Sequence, residues 1–329
     1  MIIYRNHKPN TLPKDKKYIY TDYRNQIIKN GEIIEKINRF VIPPAWTNVK
    51  IDLNPCAKII YQGYDAANRL QQKYSASHNK KAKMLKFYNL IEFEKAEPRL
   101  KSDIKKYIMQ KRLSKNKIIS IILSIIWICG FRLGNLKFLK LYDSYGISNI
   151  RKKHLNIKDN KIYIEFKGKK SVINKCTIEQ SMLLTELKKL LSDKKSNDFI
   201  FTLNDELIKP TEINNFLRNY GGATSKDLRT LDANKIFIGD IRKNAEIYLA
   251  ANSNAKRKKV LNKSLNVVAA HLNNTPAISK SSYILTEIYD LAVEQPKKFK
   301  RLFFKNDKVG KAFVTYLKTQ YCKKLITTI

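Results

Sequence analysis

A tyrosine at position 283 stands near the end of the run HLNNTPAISKSSYI and is the first candidate for chemistry in this chain. The run contains an Asn-Thr-Pro turn, a basic residue and then the phenol, an order that suits attack on an anionic group. The chain has 18 tyrosines, so one tyrosine alone carries little information. Three cation sites precede Tyr283: Arg132 in GFRLGN, Lys169 in EFKGKK, and Lys226 with Arg229 in KDLRT. Together these residues indicate phosphoryl transfer to a tyrosine, with DNA as the substrate.

The net charge of the chain supports a polyanionic substrate. Lysine and arginine number 65 against 28 acidic residues, which gives a formal charge of +37 over 329 residues. Codon bias from an AT-rich genome explains part of the lysine excess, but it does not also remove acidic residues. Because 43% of the residues are hydrophobic, we expect a globular basic protein and neither a disordered tail nor a membrane protein.

Length and cysteine spacing narrow the class further. The length predicts two domains. The four cysteines are widely scattered without a Cys-x-x-Cys pair, so neither a disulfide framework nor a zinc site is indicated, which suits a reducing compartment. The N-terminus lacks the long apolar core of a secretory signal. The apolar run from Ile118 to Phe131 is shorter than the roughly 20 residues that span a bilayer, and it predicts a buried helix.

Two kinds of segment divide the chain and predict an α+β fold. Residues 1–80 alternate strand-length pieces with proline-containing breaks, which predicts a small β-rich domain. The polar stretch SASHNKKAK predicts an interdomain linker. Over residues 81–329, apolar residues at intervals of three and four predict a larger, mostly α-helical catalytic domain. This domain contains one small β-sheet, with predicted turns at KDNK and KGKK.

Cleavage of a phosphodiester by a side chain needs cations for the non-bridging oxygens, an acid for the departing oxygen, and a nucleophile. Arg132 follows the apolar helix between two glycines and can direct two N–H groups to phosphate oxygens. Lys169 lies in a turn between strands and, unlike arginine, can give up a proton. Lys167 and Lys170 stand beside it, so the residues alone leave the acid open. Arg229 follows the loop YGGATS, which can cap a helix near a phosphate.

The pattern gives no sign of a metal or nucleotide site. The four histidines are far apart in the sequence, no acidic cluster accompanies the basic motifs, and no P-loop occurs. We therefore expect a reaction without ATP, metal or other cofactor.

The ordered set Arg132, Lys169, Arg229 and Tyr283 resembles the type IB DNA topoisomerases, most closely the compact poxvirus-type and bacterial-type enzymes. The resemblance covers nearly the whole chain and implies their catalytic fold, which tyrosine recombinases share. Blocks that follow the family order are IPPAW, GYDAANRLQQKY, GFRLGN, SYGISNIRKKHL, EFKGKK, KDLRT and NNTPAISKSSYI.

The resemblance also implies a mechanism. Tyr283 would attack the scissile phosphate to give a 3′-phosphotyrosyl enzyme and a free 5′-hydroxyl. Lys169 would protonate the 5′ oxygen, and Arg132 and Arg229 would stabilise the transition-state oxygens. The strand would then rotate, and the 5′-hydroxyl would attack back, so that supercoils relax without ATP.

Two positions depart from the family pattern. Nine residues before the nucleophile, the family commonly has His, and many bacterial-type members have Asn; here the residue is Asn274. We expect Asn274 to donate a hydrogen bond to a non-bridging oxygen and the nearby His271 to pack, although a catalytic part for His271 stays open.

The second departure concerns the DNA contacts of the N-terminal domain. Poxvirus enzymes carry Gln-Tyr-x-Tyr for major-groove contacts, whereas this chain has Gln72 in place of the first tyrosine. The same target-sequence preference therefore does not follow from the resemblance. The candidate DNA-binding residues are Arg69, Gln71, Gln72, Tyr74, Lys137 and Lys226.

Two other functions compete with that of a topoisomerase. A tyrosine recombinase shares the Arg, Lys, Arg, Tyr order, but it usually has His-x-x-Arg where this chain has KDLR, and it lacks a β-rich region with IPPAW. A basic DNA-packaging protein would explain the charge but not the ordered motifs. The expected partner is duplex DNA, clamped by a monomer away from any membrane. Analogy with large DNA viruses predicts an intracellular location, in the virion or the host cytoplasm.

Overall fold

The computed structural model describes residues 1–7, 18–305 and 309–326, with the side chains of 7 and 322–326 excepted. It divides into two compact units, Met1–Lys86 and Phe87–Ile329. The first is rich in β-structure and the second is mostly helical, so the predicted α+β fold is confirmed.

The first unit is built on a five-stranded antiparallel sheet with the order β2-β1-β3-β4-β5. Alternating residues such as Val49 and Ile51 point to one face, where Ile37 of a short helix joins them in the core. The elements are β1 (Ile2–His7), β2 (Tyr18–Thr21), α1 (Gly31–Asn38), β3 (Thr47–Asp52), β4 (Ile59–Tyr64) and β5 (Leu70–Tyr74).

The segment IPPAW is a loop and not a strand, because its two prolines lack the N–H groups that a ladder requires. The buried Arg5 holds this loop through its guanidinium, which donates to the carbonyls of Pro43 at 3.1 Å and Trp46 at 2.7 Å. A buried cation therefore fixes a segment that has no ladder of its own.

The second unit places its helices around a small sheet. The helices are α2 (Ala76–Met109, which begins in the first unit), α3 (Lys115–Cys129), α4 (Leu136–Tyr142), α5 (Ser181–Leu191), α6 (Pro210–Arg218), α7 (Ser225–Lys243), α8 (Ala245–Ala250), α9 (Asn254–Leu272), α10 (Pro276–Ser282), α11 (Thr286–Glu294), α12 (Pro296–Phe303) and α13 (Val309–Ile326). The antiparallel sheet is β6 (Leu155–Lys158), β7 (Lys161–Lys167) and β8 (Ile173–Ile178), and a short pair is β9 (Thr202–Leu203) with β10 (Glu206–Leu207).

Helix α3 is the centre of the larger core. Apolar residues cover nearly all its faces, and most are fully buried, as the sequence predicted. The helix begins after Ser114, whose hydroxyl accepts from the Lys117 N–H, and it ends at Gly130 with φ +62°. No helix in the described ranges combines the length and apolar character needed to cross a membrane.

Both predicted turns of the sheet are confirmed. Asp159 and Asn160 join β6 to β7 with φ of 51° and 55°, as a tight antiparallel hairpin requires. Between β7 and β8 the Gly168 N–H donates to the Val172 carbonyl at 2.8 Å, and this closes the turn that carries Lys169.

The stretch predicted to be an interdomain linker is helical. Residues 76–83 form the start of α2, a single helix that runs to Met109. Its later residues, such as Phe87 and Leu90, are anchored in the core of the second unit. Since extending an existing helix costs little, the polar start of α2 becomes helical without an apolar face.

One pair of cysteines is joined, contrary to the expectation of no disulfide. Cys129 ends α3 and Cys176 lies on β8, with Cα atoms 5.6 Å apart across a separation of 47 residues. Packing of α3 on the sheet brings them together, which no local spacing could reveal. Cys56 is free and exposed.

A buried charge cluster joins α2 to α7. Glu94 and Glu97 both pair with the ammonium of Lys235, and Lys101 pairs with Glu97 at 2.8 Å. Burial raises the pKa of Glu94 to about 7, and the nearby Glu97 adds to the rise while Lys235 opposes it. Burial also disfavours the charge on Glu97, but the two lysines outweigh this and hold its pKa below the ordinary value. Glu94 therefore titrates near neutral pH.

This cluster makes stability depend on pH. Since the pKa of Glu94 is higher in the folded chain than the ordinary 4.5, its contribution to stability is fully present below pH 4.5 and is lost as pH rises through 7. We expect wild-type protein to lose on the order of 2 kcal/mol more than Glu94→Gln between pH 5 and pH 8, measured by urea unfolding.

Glu92→Gln is the control for this measurement. Glu92 lies on the same helix, pairs with Lys95 and is more exposed than Glu94, so this variant should follow the wild-type pH dependence. Parallel curves for wild type and Glu94→Gln would show that the carboxyl of Glu94 titrates normally.

Candidate active site

The predicted catalytic residues converge on one cavity of the second unit, about 540 Å³ in volume. Its lining includes all five of them, although they are spread between positions 132 and 283; they are Arg132, Lys169, Arg229, Asn274 and Tyr283.

Helix α7 positions the guanidinium that meets the phenol. Thr224 caps this helix, and its hydroxyl and backbone N–H both bond to the Asp227 carboxylate, as the loop YGGATS suggested. Arg229, 4% exposed, stands within the first turns and donates through Nη1 to the Tyr283 hydroxyl. Its Cζ lies 4.6 Å from the centre of the Tyr283 ring. The nucleophile candidate is thus held by its ring and by its oxygen.

Two further N–H groups of Arg229 bind two helix ends. Nε donates to the Gly130 carbonyl at 2.8 Å, and Nη2 donates to the Leu272 carbonyl at 3.2 Å. Burial lowers the pKa of Arg229 to about 10, with Tyr283 opposing the shift and Arg132 adding to it. The guanidinium remains charged at neutral pH, so the cavity keeps this positive charge.

The backbone around Tyr283 is fixed by a residue that sequence reasoning missed. Asn234 of α7 is fully buried, and its Nδ2 donates to the Tyr283 carbonyl at 2.9 Å while its Oδ1 accepts from the Leu285 N–H at 3.1 Å. A signal was present, because Asn234 interrupts the apolar face of α7, and a buried amide needs partners. The helix that supplies Arg229 therefore also holds the backbone around Tyr283.

Arg132 and Asn274 form the second side of the cavity. Nη2 of Arg132 donates to Oδ1 of Asn274 at 2.5 Å. The NH₂ group of Asn274 therefore points away from this guanidinium nitrogen. Asn274 Nδ2 is buried and has no hydrogen-bond partner among the described residues. An amide donor thus stands unused beside the cavity.

His271 lies apart from this lining. Its Nε2 is 2.7 Å from the Asp232 carboxylate oxygen, and only about a fifth of its side chain is exposed. The cavity wall contains Asn274 and not His271. The geometry therefore favours Asn274 as the group that faces a ligand.

Two glycines allow the close packing that aims Arg132. A Cβ on Gly130 would lie 2.2 Å from the His271 carbonyl oxygen, and one on Gly134 would lie 1.9 Å from Oδ1 of Asn149. Gly130 also has φ +62°, which disfavours other residues. The segment around Arg132 can therefore approach the end of α9 because Gly130 lacks a side chain, and it can approach Asn149 because Gly134 lacks one.

The lysines of the β7–β8 turn separate into two groups. Lys169 and Lys170 line the cavity, whereas Nζ of Lys167 lies 3.8 Å from the Asp143 carboxylate. The position of Lys167 makes it a poorer candidate for the acid than the other two.

The predicted DNA-binding residues of this unit occupy different surfaces. Lys226 lines the cavity from the start of α7. Lys137 lies on α4, a short helix without a buried residue that exposes Leu136, Phe138 and Leu141. Such a helix presents its apolar and basic side chains outward.

The first unit carries the other four at the β4–β5 hairpin. Arg69 pairs with Asp65 at 2.7 Å. Nε2 of Gln71 donates to the same carboxylate at 3.0 Å. The Tyr74 hydroxyl donates to Oε1 of Gln72 at 2.8 Å, so these side chains form local networks on the strands.

Chemically, the cavity suits an anionic ligand. Its lining includes Arg132, Lys169, Lys170, Lys226 and Arg229, and no aspartate or glutamate is among the described residues that form it. Nor do the described ranges contain three or more His, Cys, Asp or Glu side chains grouped to hold a metal ion.

Comparison with known proteins matches the arrangement to a family. Residues 75–303 match the eukaryotic DNA topoisomerase I catalytic core, and residues 17–65 match the N-terminal domain of bacterial DNA topoisomerase IB.

Viral proteins are among the relatives. The chain is 30% identical over 305 residues to DNA topoisomerase 1B of Acanthamoeba polyphaga mimivirus, covering 88% of each chain. It is 25% identical over 295 residues to DNA topoisomerase 1B of vaccinia virus strain Copenhagen, covering 86% of this chain and 89% of the relative. The chain therefore belongs to the type IB DNA topoisomerases, isomerases that relax supercoiled DNA.

Proposed function

We propose that the cavity binds the scissile phosphodiester of duplex DNA and that the Tyr283 hydroxyl attacks its phosphorus. The observation that carries this assignment is the contact of the phenol oxygen with the buried Arg229 in a wall that also includes Arg132 and Lys169. The Tyr283 Oη–P bond forms, the bond from phosphorus to the 5′ oxygen breaks, and the phenol proton passes to solvent. The products are a 3′-phosphotyrosine and a 5′-hydroxyl.

Arg229 and Arg132 bind the non-bridging oxygens in this proposal. Both are cations, and Arg229 is already held by two carbonyls, so little reorganisation is needed when charge develops. Asn274 contributes the NH₂ group that has no partner among the described residues, as a neutral donor to one of these oxygens.

Lys169 is the proposed general acid for the 5′ oxygen. Its place in the cavity wall supports this role over Lys167, which is not part of that wall and pairs with Asp143. Lys170 is the remaining competitor in the same turn.

Religation reverses these steps. The nicked strand rotates about the intact one, and the 5′-hydroxyl then attacks the phosphotyrosine, returning its proton to Lys169. The ester conserves the energy of the phosphodiester bond, so the cycle balances without a nucleotide.

We also propose that the chain acts as a monomer and that both units contact the same duplex. Lys226 and Lys137 would contact DNA from the second unit, and Arg69, Gln71, Gln72 and Tyr74 from the first. The charge of +37 supports such a surface. The viral relatives support an intracellular site of action, in a virion or in host cytoplasm.

Replacing Tyr283 by phenylalanine should abolish the covalent complex and relaxation while duplex binding persists, because only the nucleophilic oxygen is lost. Denaturing gels with end-labelled DNA detect the adduct, and plasmid relaxation measures activity. Tyr289→Phe, another buried tyrosine of the second unit, should retain both. A phosphotyrosyl adduct in Tyr283→Phe would refute the assignment.

Removing the acid should affect an ordinary phosphodiester far more than a substrate with a 5′-bridging sulfur, whose leaving group needs no proton. We expect Lys169→Ala to slow single-turnover cleavage of the ordinary substrate by about 100-fold or more and to leave the sulfur substrate nearly unaffected. Lys167→Ala and Lys170→Ala are the matched controls. The acid role would move to Lys170 if that variant alone showed the rescue.

Asn274→Ala should lower the cleavage rate by roughly 10- to 1000-fold, the range for one oxyanion donor. His271→Ala should change it much less. Asn274→His should restore activity and add a pH dependence near the ordinary imidazole pKa of about 6.5. A large loss in His271→Ala with a wild-type rate in Asn274→Ala would reverse the two roles.

A further inference from the structure

Asn273, the residue before Asn274, bridges two elements with its side chain. Nδ2 donates to the Cys129 carbonyl at the end of α3, at 3.0 Å. Oδ1 accepts from the Lys175 N–H of β8, at 3.2 Å. One amide therefore joins a helix end to a strand far away in sequence.

The backbone explains how Asn273 reaches both partners. It follows α9 in the left-handed region, with φ 52°, a conformation that asparagine tolerates better than most residues. Strand β8 is an edge of the sheet β6-β7-β8, so the Lys175 N–H faces away from the ladder. The side chain of Asn273 therefore supplies the hydrogen-bond acceptor that the Lys175 N–H does not find within the sheet.

The bridged elements carry proposed catalytic groups. Cys129 leads through Gly130 and Phe131 to Arg132. Strand β8 emerges from the turn that holds Lys169. Asn273 thus joins the element that leads to Arg132 with the element that follows the Lys169 turn.

We propose that Asn273 is a positioning residue that sets the distance between the Lys169 turn and the phosphate site formed by Arg132 and Asn274. Its contribution is to hold the Lys169 ammonium within reach of the departing 5′ oxygen. This inference rests on the proposed function, and in particular on Lys169 as the acid.

The Cys129–Cys176 disulfide joins the same two elements beside the bridge. Cys129 is also the hydrogen-bond partner, and Cys176 follows Lys175. In a reducing compartment this bond opens, and Asn273 then remains to link α3 with β8. The test is therefore made in excess dithiothreitol, where the covalent link does not mask the amide.

Asn273→Gly is the variant of choice, because glycine keeps the left-handed backbone and removes only the amide. Asn273→Ala would add backbone strain at φ 52°. Asn204→Gly is the matched control. Asn204 also has a left-handed backbone, with φ 50°, but it lies in the β9–β10 turn and outside the lining of this cavity.

The first measurement is independent of activity. Hydrogen exchange of the Lys175 amide should speed up in Asn273→Gly, because its acceptor is lost, and should be unchanged in Asn204→Gly. An unchanged Lys175 amide in Asn273→Gly would mean that the bridge does not exist in solution.

The second measurement separates positioning from general destabilisation. Single-turnover cleavage of an ordinary phosphodiester should fall by about 10- to 100-fold in Asn273→Gly, as expected when a catalytic group is displaced by about 1 Å. The 5′-bridging sulfur substrate should lose no more than about 3-fold, since it needs no acid. Asn204→Gly should match wild type on both. If Asn273→Gly is unfolded at the assay temperature, Asn273→Asp replaces it, with the same selective loss expected.

Measurements on wild type and Lys169→Ala distinguish failure of the proposed function from failure of the positioning role of Asn273. Absence of a covalent adduct in wild type, or of sulfur rescue in Lys169→Ala, would defeat the proposed function. If Lys169→Ala is rescued but the Asn273 variant loses activity equally on both substrates, or on neither, only the positioning role is overturned.

Discussion

The buried guanidinium of Arg229 is the interaction on which the rest of the site depends. A charge removed from water destabilises a fold unless hydrogen bonds replace its hydration. Here the replacements are the carbonyls of Gly130 and Leu272 and the hydroxyl of Tyr283. The ends of α3 and α9 and the Tyr283 side chain must therefore lie together before this charge can be buried. Folding of the second unit and assembly of the site are the same event.

The cluster around Lys235 pairs its positive charge with carboxylates, whereas the described lining of the cavity does not. Lys235 is neutralised by Glu94 and Glu97, so that cluster is complete within the protein. The described lining of the cavity gathers five cations with no carboxylate, so their repulsion is relieved only by a ligand. Asn274 is likewise unsatisfied, because its buried NH₂ lacks a hydrogen-bond partner among the described residues. On the proposed function, each unsatisfied feature becomes favourable when a phosphodiester binds.

The sequence predicted those parts of the site that are encoded by residue type and chain order. Arg132, Arg229 and Tyr283 stood out because each lies in a distinctive motif, and the β7–β8 turn was evident from glycine and alternation. Long-range partners were not predictable: Asn234 and Asn273 act through backbone atoms distant in sequence, and Cys129 meets Cys176 only after α3 packs on β8. The helical state of the start of α2 was not predictable either, because it depends on residues anchored further along the chain.

Reversibility explains why such a rigid frame is useful. The group that gives a proton to the 5′ oxygen during cleavage must take it back during religation, so a displaced Lys169 would slow both directions if it is that group, as proposed. The balance between broken and sealed DNA depends on the two ester bonds and not on the placement of the acid, because a catalyst lowers one barrier shared by both directions. On the proposed mechanism, loss of the hydrogen bonds made by Arg229 or Asn273 lowers the rate of relaxation, and nicked DNA does not accumulate. Only a change that stabilises the phosphotyrosine itself, or excludes the 5′-hydroxyl, would leave DNA broken.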